Sequence, residues 1–151
     1  MAKKTTKRRP SRKAKSQGMN WIRKPKRYAI YRRDSKAARL GVFVRDGLAC
    51  CWCGAGVEDP GVRLTLDHIV PYADGGSNHS DNLISSCRSC NSRRGSRSAE
   101  QFSREVGGNR AIEILSHIRV CLARPIDVAE AKALIDRRGG DFVATCRKDR
   151  S

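Results

Sequence analysis

Between residues 19 and 46, Trp21, Ile22, Tyr28, Ile30, Tyr31, Leu40, Val42, Phe43 and Val44 are scattered among Arg and Lys. That mixture predicts a largely helical, basic segment, and Asp46-Gly47 marks its end. Val62-Arg63-Leu64-Thr65-Leu66 alternates apolar and polar, which predicts a half-buried strand running into Asp67-His68-Ile69-Val70-Pro71. Ala73-Asp74-Gly75-Gly76-Ser77-Asn78 is a turn signal, and Cys90–Gly95 opens a short helix. The remainder reads as helices. Ser98–Val106 is one, stopped by Gly107-Gly108. Ala111–Leu122 places Ile112, Leu115, Ile118 and Leu122 on one stripe, with Ile114 and Val120 beside it. Asp127 is the N-cap of a last helix, with Glu130 in the capping-box position; it runs to Arg138 and stops at Gly139. His117 falls on the polar side of these helices as a solvated histidine, and Cys121 reads as a small apolar core residue.

Charge changes the picture more than size does. The chain has 151 residues, 32 Lys and Arg against 15 Asp and Glu, and a formal charge of +17. Residues 1–40 hold 16 of the basic residues and a single acid, Asp34. Residues 1–18 are almost purely basic, Ser/Thr and Gly/Pro, and read as a disordered arm that cannot bury enough apolar surface to offset its ordering entropy. No apolar run is long enough for a membrane span, and no apolar stretch follows the basic N-terminus as a secretion signal would require. The expected location is the cytoplasm, and the expected partner is a dense anion. Nucleic acid is favoured over a membrane surface.

Seven cysteines stand at positions 50, 51, 53, 87, 90, 121 and 146. Cys50/Cys53 and Cys87/Cys90 are each spaced C-x2-C, and four thiolates at that double spacing make a tetrahedral structural Zn²⁺ site. Cys51 is ambiguous as a ligand. The interval between the knots, Gly54–Ser86, is 33 residues, longer than a zinc ribbon needs. It holds Asp67-His68 and Asn82, and Asn91 follows the second knot. A histidine with a pKa near 6.5 can take a proton from water at neutral pH. A carboxylate and an amide oxygen suit a hard divalent ion that also meets phosphate oxygens. Alternation on an ideal strand puts Asp67 and His68 on opposite faces, so both serve one site only across a bend or bulge. Taken together, the residues suggest phosphodiester hydrolysis.

In order, C-x2-C, D-H-I-V-P, G-G-S-N, D-N-L and C-R-S-C-N-S-R-R-G over about residues 47–97 resemble the HNH endonuclease family, in the variant that ends on Asn rather than His. The resemblance implies an α+β fold: a ββα-metal core at 47–97 stapled by the four-cysteine zinc site, flanked by the arm 1–18, the basic helical segment 19–46 and C-terminal helices over 98–151. It implies His68 as general base and Asn82 as the residue that pins the intervening loop and so orients His68. It implies Asp67 and Asn91 as ligands of a catalytic Mg²⁺ or Mn²⁺, and Cys50, Cys53, Cys87 and Cys90 as ligands of structural zinc. Arg93, Arg94 and Arg97 are expected to meet DNA phosphates. His79 matches no core position of the family.

The implied function is metal-dependent DNA cleavage, by nicking or double-strand cutting. The layout of basic arm, core and short helices also resembles small phage or prophage HNH proteins. Some of these act beside the terminase in DNA packaging, so a terminase is an expected partner by analogy alone. A non-catalytic zinc module that binds nucleic acid is the alternative; it has no need of the set Asp67, His68 and Asn91. A ribosomal or RNA-binding zinc protein would leave Asp-His unexplained and would call for more aromatic residues than are present.

Overall fold

The structure is a computed structural model. It describes residues 35–145, with side chains described for residues 36–138. The arm, the start of the basic segment up to Asp34, and Cys146 lie outside the described residues.

Helix α1 (Ser35–Arg45) buries Ala37, Ala38, Leu40, Val42 and Phe43. It ends in a Schellman motif: Leu48 N–H donates to Phe43 O at 2.7 Å and Gly47 N–H to Val44 O at 3.0 Å. Gly47 takes the left-handed conformation this requires, with φ 80°. The turn is then locked by a buried ion pair. Arg45 and Asp46 are within 2.6 Å of each other. Arg45 also donates to Ser80 O and Leu83 O, while Asp46 Oδ2 accepts from Ser85 N–H. Both charges are desolvated but fully bonded, the condition under which such a pair is tolerated inside a protein.

Strands β1 (Leu64–His68) and β2 (Leu83–Cys87) form a two-stranded antiparallel sheet, with Leu64 opposite Cys87 and His68 opposite Leu83. The strand expected at Val62–Leu66 therefore starts and ends two residues later. Val62 N–H is bonded to Asp59 O in the preceding turn and is not free for the ladder. Every residue of β2 is buried, because α1, α2 (Arg88–Arg94) and the later helix over Ala111–Ala123 all pack against it. Helix α2 begins with a thiol as its cap: Cys87 Sγ accepts from Cys90 N–H at 3.4 Å. Helix α3 (Ala99–Gly107) opens on a capping box between Ser98 and Gln101.

The face that α4 (Ala111–Ala123) buries is the expected one in part: Ile118 and Ile114 are inside, and Leu115 and Leu122 pack half-buried against the core. Ala111, Ile114, Ile118 and Cys121 are buried, whereas Ile112 is 78% exposed and Val120 57%. The spacing of three and four residues is preserved, with two isoleucines in the middle of the buried stripe and Ala111 and Cys121 at its ends. Helix α5 (Val128–Thr145) is capped by Asp127, whose Oδ1 accepts from Ala129 and Glu130 N–H. It does not stop at Gly139: the helix continues through Gly139-Gly140. Glycine costs a helix interior about 1 kcal/mol relative to alanine, but it does not forbid one.

One apolar core joins these elements. Trp52 and Phe102 meet edge to face with ring centroids 5.1 Å apart, among Phe43, Leu64, Ile84 and Ile118. This is an α+β unit in which α1 packs both on the sheet and directly on α5, while α2 packs on the two strands.

Candidate active site and metal centre

The two cysteine knots come together in space. The sulfurs of Cys50, Cys53, Cys87 and Cys90 lie within 4.8 Å of one another, with Cys53 and Cys87 at 3.9 Å. An edge of a tetrahedral zinc–thiolate site is about 3.8 Å, given Zn–S bonds of about 2.3 Å. The donors therefore fit a metal of that kind. Burial is the main cause that pushes the Cys90 thiol above its ordinary range, and the neighbouring cysteines add to it. The first knot reaches the core through tight backbone bonds: Gly54 N–H to Cys50 O, and Cys51 N–H to Ser85 O on β2.

The same knot aims Trp52 at β1. Its Nε1 donates to Asp67 Oδ2 at 2.9 Å. The other oxygen, Oδ1, accepts from Arg94 Nη1 at 2.5 Å. Burial raises the Asp67 pKa above its ordinary value, against the opposing pull of the Arg94 guanidinium and the Trp52 indole N–H. Arg94 is 1% exposed and also donates to His68 O and Ile69 O. This corrects the expectation that Arg94 meets DNA. Four residues after the second knot, it turns inward on the short helix because the Asp67 carboxylate lies there to neutralise it. Arg93 and Arg97 do face solvent. Both pair with Glu105, at 3.1 Å and 3.0 Å, and both lie over the Phe102 ring.

Asn91 lies beside β1 on the Asp67 side. Its amide nitrogen donates to Thr65 Oγ1 and Leu66 O, so the oxygen end of the side chain is the one left for a cation. Each Asp67 oxygen keeps a further lone pair beyond its present bond. A carboxylate oxygen and an amide oxygen form a hard donor set that suits Mg²⁺ or Mn²⁺ chemistry.

His68 is half-buried and belongs to a different surround. Its Nε2 lies 2.7 Å from Asn78 Oδ1, and its ring meets Tyr72 at 6.3 Å. Asn78 comes from the turn between the strands, and Asn82 fastens that turn. The Asn82 side chain exchanges two hydrogen bonds with the backbone of Val70 and donates a third to Ser77 O. Gly76 is enclosed in this turn; a Cβ there would fall 1.8 Å from Val70 O. His79 does not join His68: its Nδ1 is buried with no hydrogen-bond partner among the described residues.

The sequence reading missed Asn78, Trp52 and the inward role of Arg94. Asn78 was visible only as part of a turn signal. Trp52 stood between zinc ligands with no sign of its partner.

It also missed a second cluster. Cys51, His117 and Cys121 bring their ligand atoms within 4.8 Å of one another. The hydrogen bond to Cys121, then burial, pushes the Cys51 thiol up, and the same bond pulls the Cys121 thiol down. His117 is on an exposed face of α4, but its ring is turned to Cys121 rather than left to water.

Comparison with known families gives one match: residues 50–97 fit the family model of the HNH endonuclease. No curated protein and no solved structure matches the chain. Among the described residues, no helix is long and apolar enough to cross a membrane.

Proposed function

We propose that the protein is a metal-dependent DNA endonuclease that hydrolyses phosphodiester bonds, a reading that starts from the match of residues 50–97 to the HNH endonuclease family model. The observation that carries the reading is the surround of His68. A histidine at the end of β1 has one ring nitrogen tied to Asn78, in a turn pinned by Asn82, and it follows directly on Asp67.

With Asn78 Oδ1 accepting, His68 Nε2 carries the ring proton and Nδ1 keeps the lone pair. Nδ1 takes a proton from water as the water oxygen bonds to phosphorus, and one backbone P–O bond breaks. Asp67 and Asn91 would hold the catalytic Mg²⁺ or Mn²⁺, which when bound supplies charge stabilisation at the phosphoryl and leaving oxygens. Cys50, Cys53, Cys87 and Cys90 would hold structural zinc, which fixes the first knot to the start of α2. Arg93 and Arg97 supply exposed positive charge beside α2 for the DNA backbone.

The test is cleavage of supercoiled plasmid by the full chain in Mg²⁺, Mn²⁺ or chelator, beside His68→Ala. Metal-dependent nicking or linearisation by the wild type, lost in the variant while DNA binding persists, is the expected result. Equal cleavage by the variant would remove His68 as the base, and DNA binding without cleavage in any metal would sink the nuclease reading in favour of a binding module. The finer reading, action with a phage terminase, is tested by co-purification with a terminase large subunit; no association would remove it.

A further inference from the structure

We propose that Cys51, His117 and Cys121 form a second zinc-binding site, separate from the four-cysteine site and open at one position. Two thiols and an imidazole converge there, with all three ligand atoms within 4.8 Å. His117 Nε2 and Cys121 Sγ are 3.5 Å apart. In a tetrahedral site with Zn–S about 2.3 Å and Zn–N about 2.05 Å, that edge is about 3.6 Å. The spacing thus suits a single ion between the ligands.

The ligands are placed by ordinary backbone geometry. His117 and Cys121 are four residues apart on α4, so they stand one turn apart on the same side. Cys51 is adjacent to Cys50, which belongs to the other cluster. Its backbone N–H is fixed to Ser85 O on β2, and that holds its thiol towards α4. The double cysteine therefore divides its two thiols between two sites.

Soft sulfur donors with one imidazole select Zn²⁺ over Mg²⁺ or Ca²⁺. Three protein ligands leave a fourth position, and exposure of His117 lets water fill it. Asp46 is not among the side chains whose ligand atoms converge here; its carboxylate serves Arg45 and Ser85 N–H. An ion here would clamp α4, outside the matched segment, to the first knot inside it.

The experiment is zinc counting by elemental analysis and native mass spectrometry on the full chain, purified under reducing conditions. His117→Ala is the main variant because the residue is exposed and alanine suits a helix; Cys121→Ser is the second. The expected result is about two zinc ions per wild-type chain, falling to about one in either variant. Cys53→Ser serves as the control for the other site. About one ion in wild type and in His117→Ala alike would overturn the proposal while leaving the four-cysteine site intact. So would a wild-type chain two hydrogens lighter than the reduced mass, with Cys51 and Cys121 joined as a disulfide. Neither result depends on DNA cleavage, so the nuclease reading stands or falls separately.

Discussion

Trp52 Nε1 donates to Asp67 Oδ2 at 2.9 Å, and this contact joins the first cysteine knot to the strand that carries the Asp-His pair. Each residue of Cys50-Cys51-Trp52-Cys53 thus has its own task. Cys50 and Cys53 face the four-sulfur cluster, Cys51 faces α4, and Trp52 holds Asp67. The four-sulfur cluster and the orientation of β1 are thus connected through one indole.

Trp52→Phe keeps most of the ring packing against Phe102 but leaves Asp67 Oδ2 without its donor. An unsatisfied buried acceptor costs about 1–3 kcal/mol. We expect a lower urea midpoint with zinc content unchanged. An unaltered midpoint would show that water replaces the indole at no cost.

Arg94 and its neighbours should separate cleanly. Arg94→Met leaves Asp67 buried and unpaired, and it strips donors from His68 O and Ile69 O. Breaking such a pair costs about 3–5 kcal/mol. Arg93→Ala and Arg97→Ala should barely change stability, since each pairs with Glu105 in solvent. If these two meet phosphate, each substitution lowers the salt slope of DNA binding by about 1. Urea titrations and binding isotherms at several salt concentrations decide the matter.

Gly76→Ala should disturb the turn that carries Asn78. The added Cβ would fall 1.8 Å from a backbone oxygen and 2.9 Å from the Asn82 amide, neither of which can yield cheaply. The turn must shift, and a cost of about 1–3 kcal/mol follows for forced overpacking. The reading is a drop in thermal midpoint together with reduced plasmid cleavage at a temperature where the variant is folded.

Asn78→Ala removes the partner of His68 Nε2 but not the imidazole. Cleavage should fall by roughly 10-fold, less than the roughly 100- to 10,000-fold loss typical of a missing general base. Wild-type rates would make Asn78 a turn residue only.

The chemistry-bearing pieces were legible in order: two C-x2-C knots, Asp67-His68, Asn82 and Asn91. Local rules account for this, because a C-x2-C turn and a strand-ending Asp-His are written in adjacent residues. The caps at Asp127 and the stop at Asp46-Gly47 were legible for the same reason. β2 was harder to read: Leu83–Cys87 places two serines between apolar residues, and it is buried by α1, α2 and α4 rather than by its own pattern.

What only the tertiary structure decided is which distant group each side chain meets. Arg94 follows Arg93 in the sequence, yet one is buried on Asp67 and the other faces water. No local rule separates them; the deciding term is a carboxylate 27 residues away that makes the burial of a guanidinium tolerable. His117 and Cys121 likewise show a helical spacing, but their third partner, Cys51, lies on another element. Sequence by itself determined the chemical types of the candidate residues and their local turns, because those depend on neighbours in the chain. The fold decided their pairing, because desolvation and charge act through space and are indifferent to sequence distance.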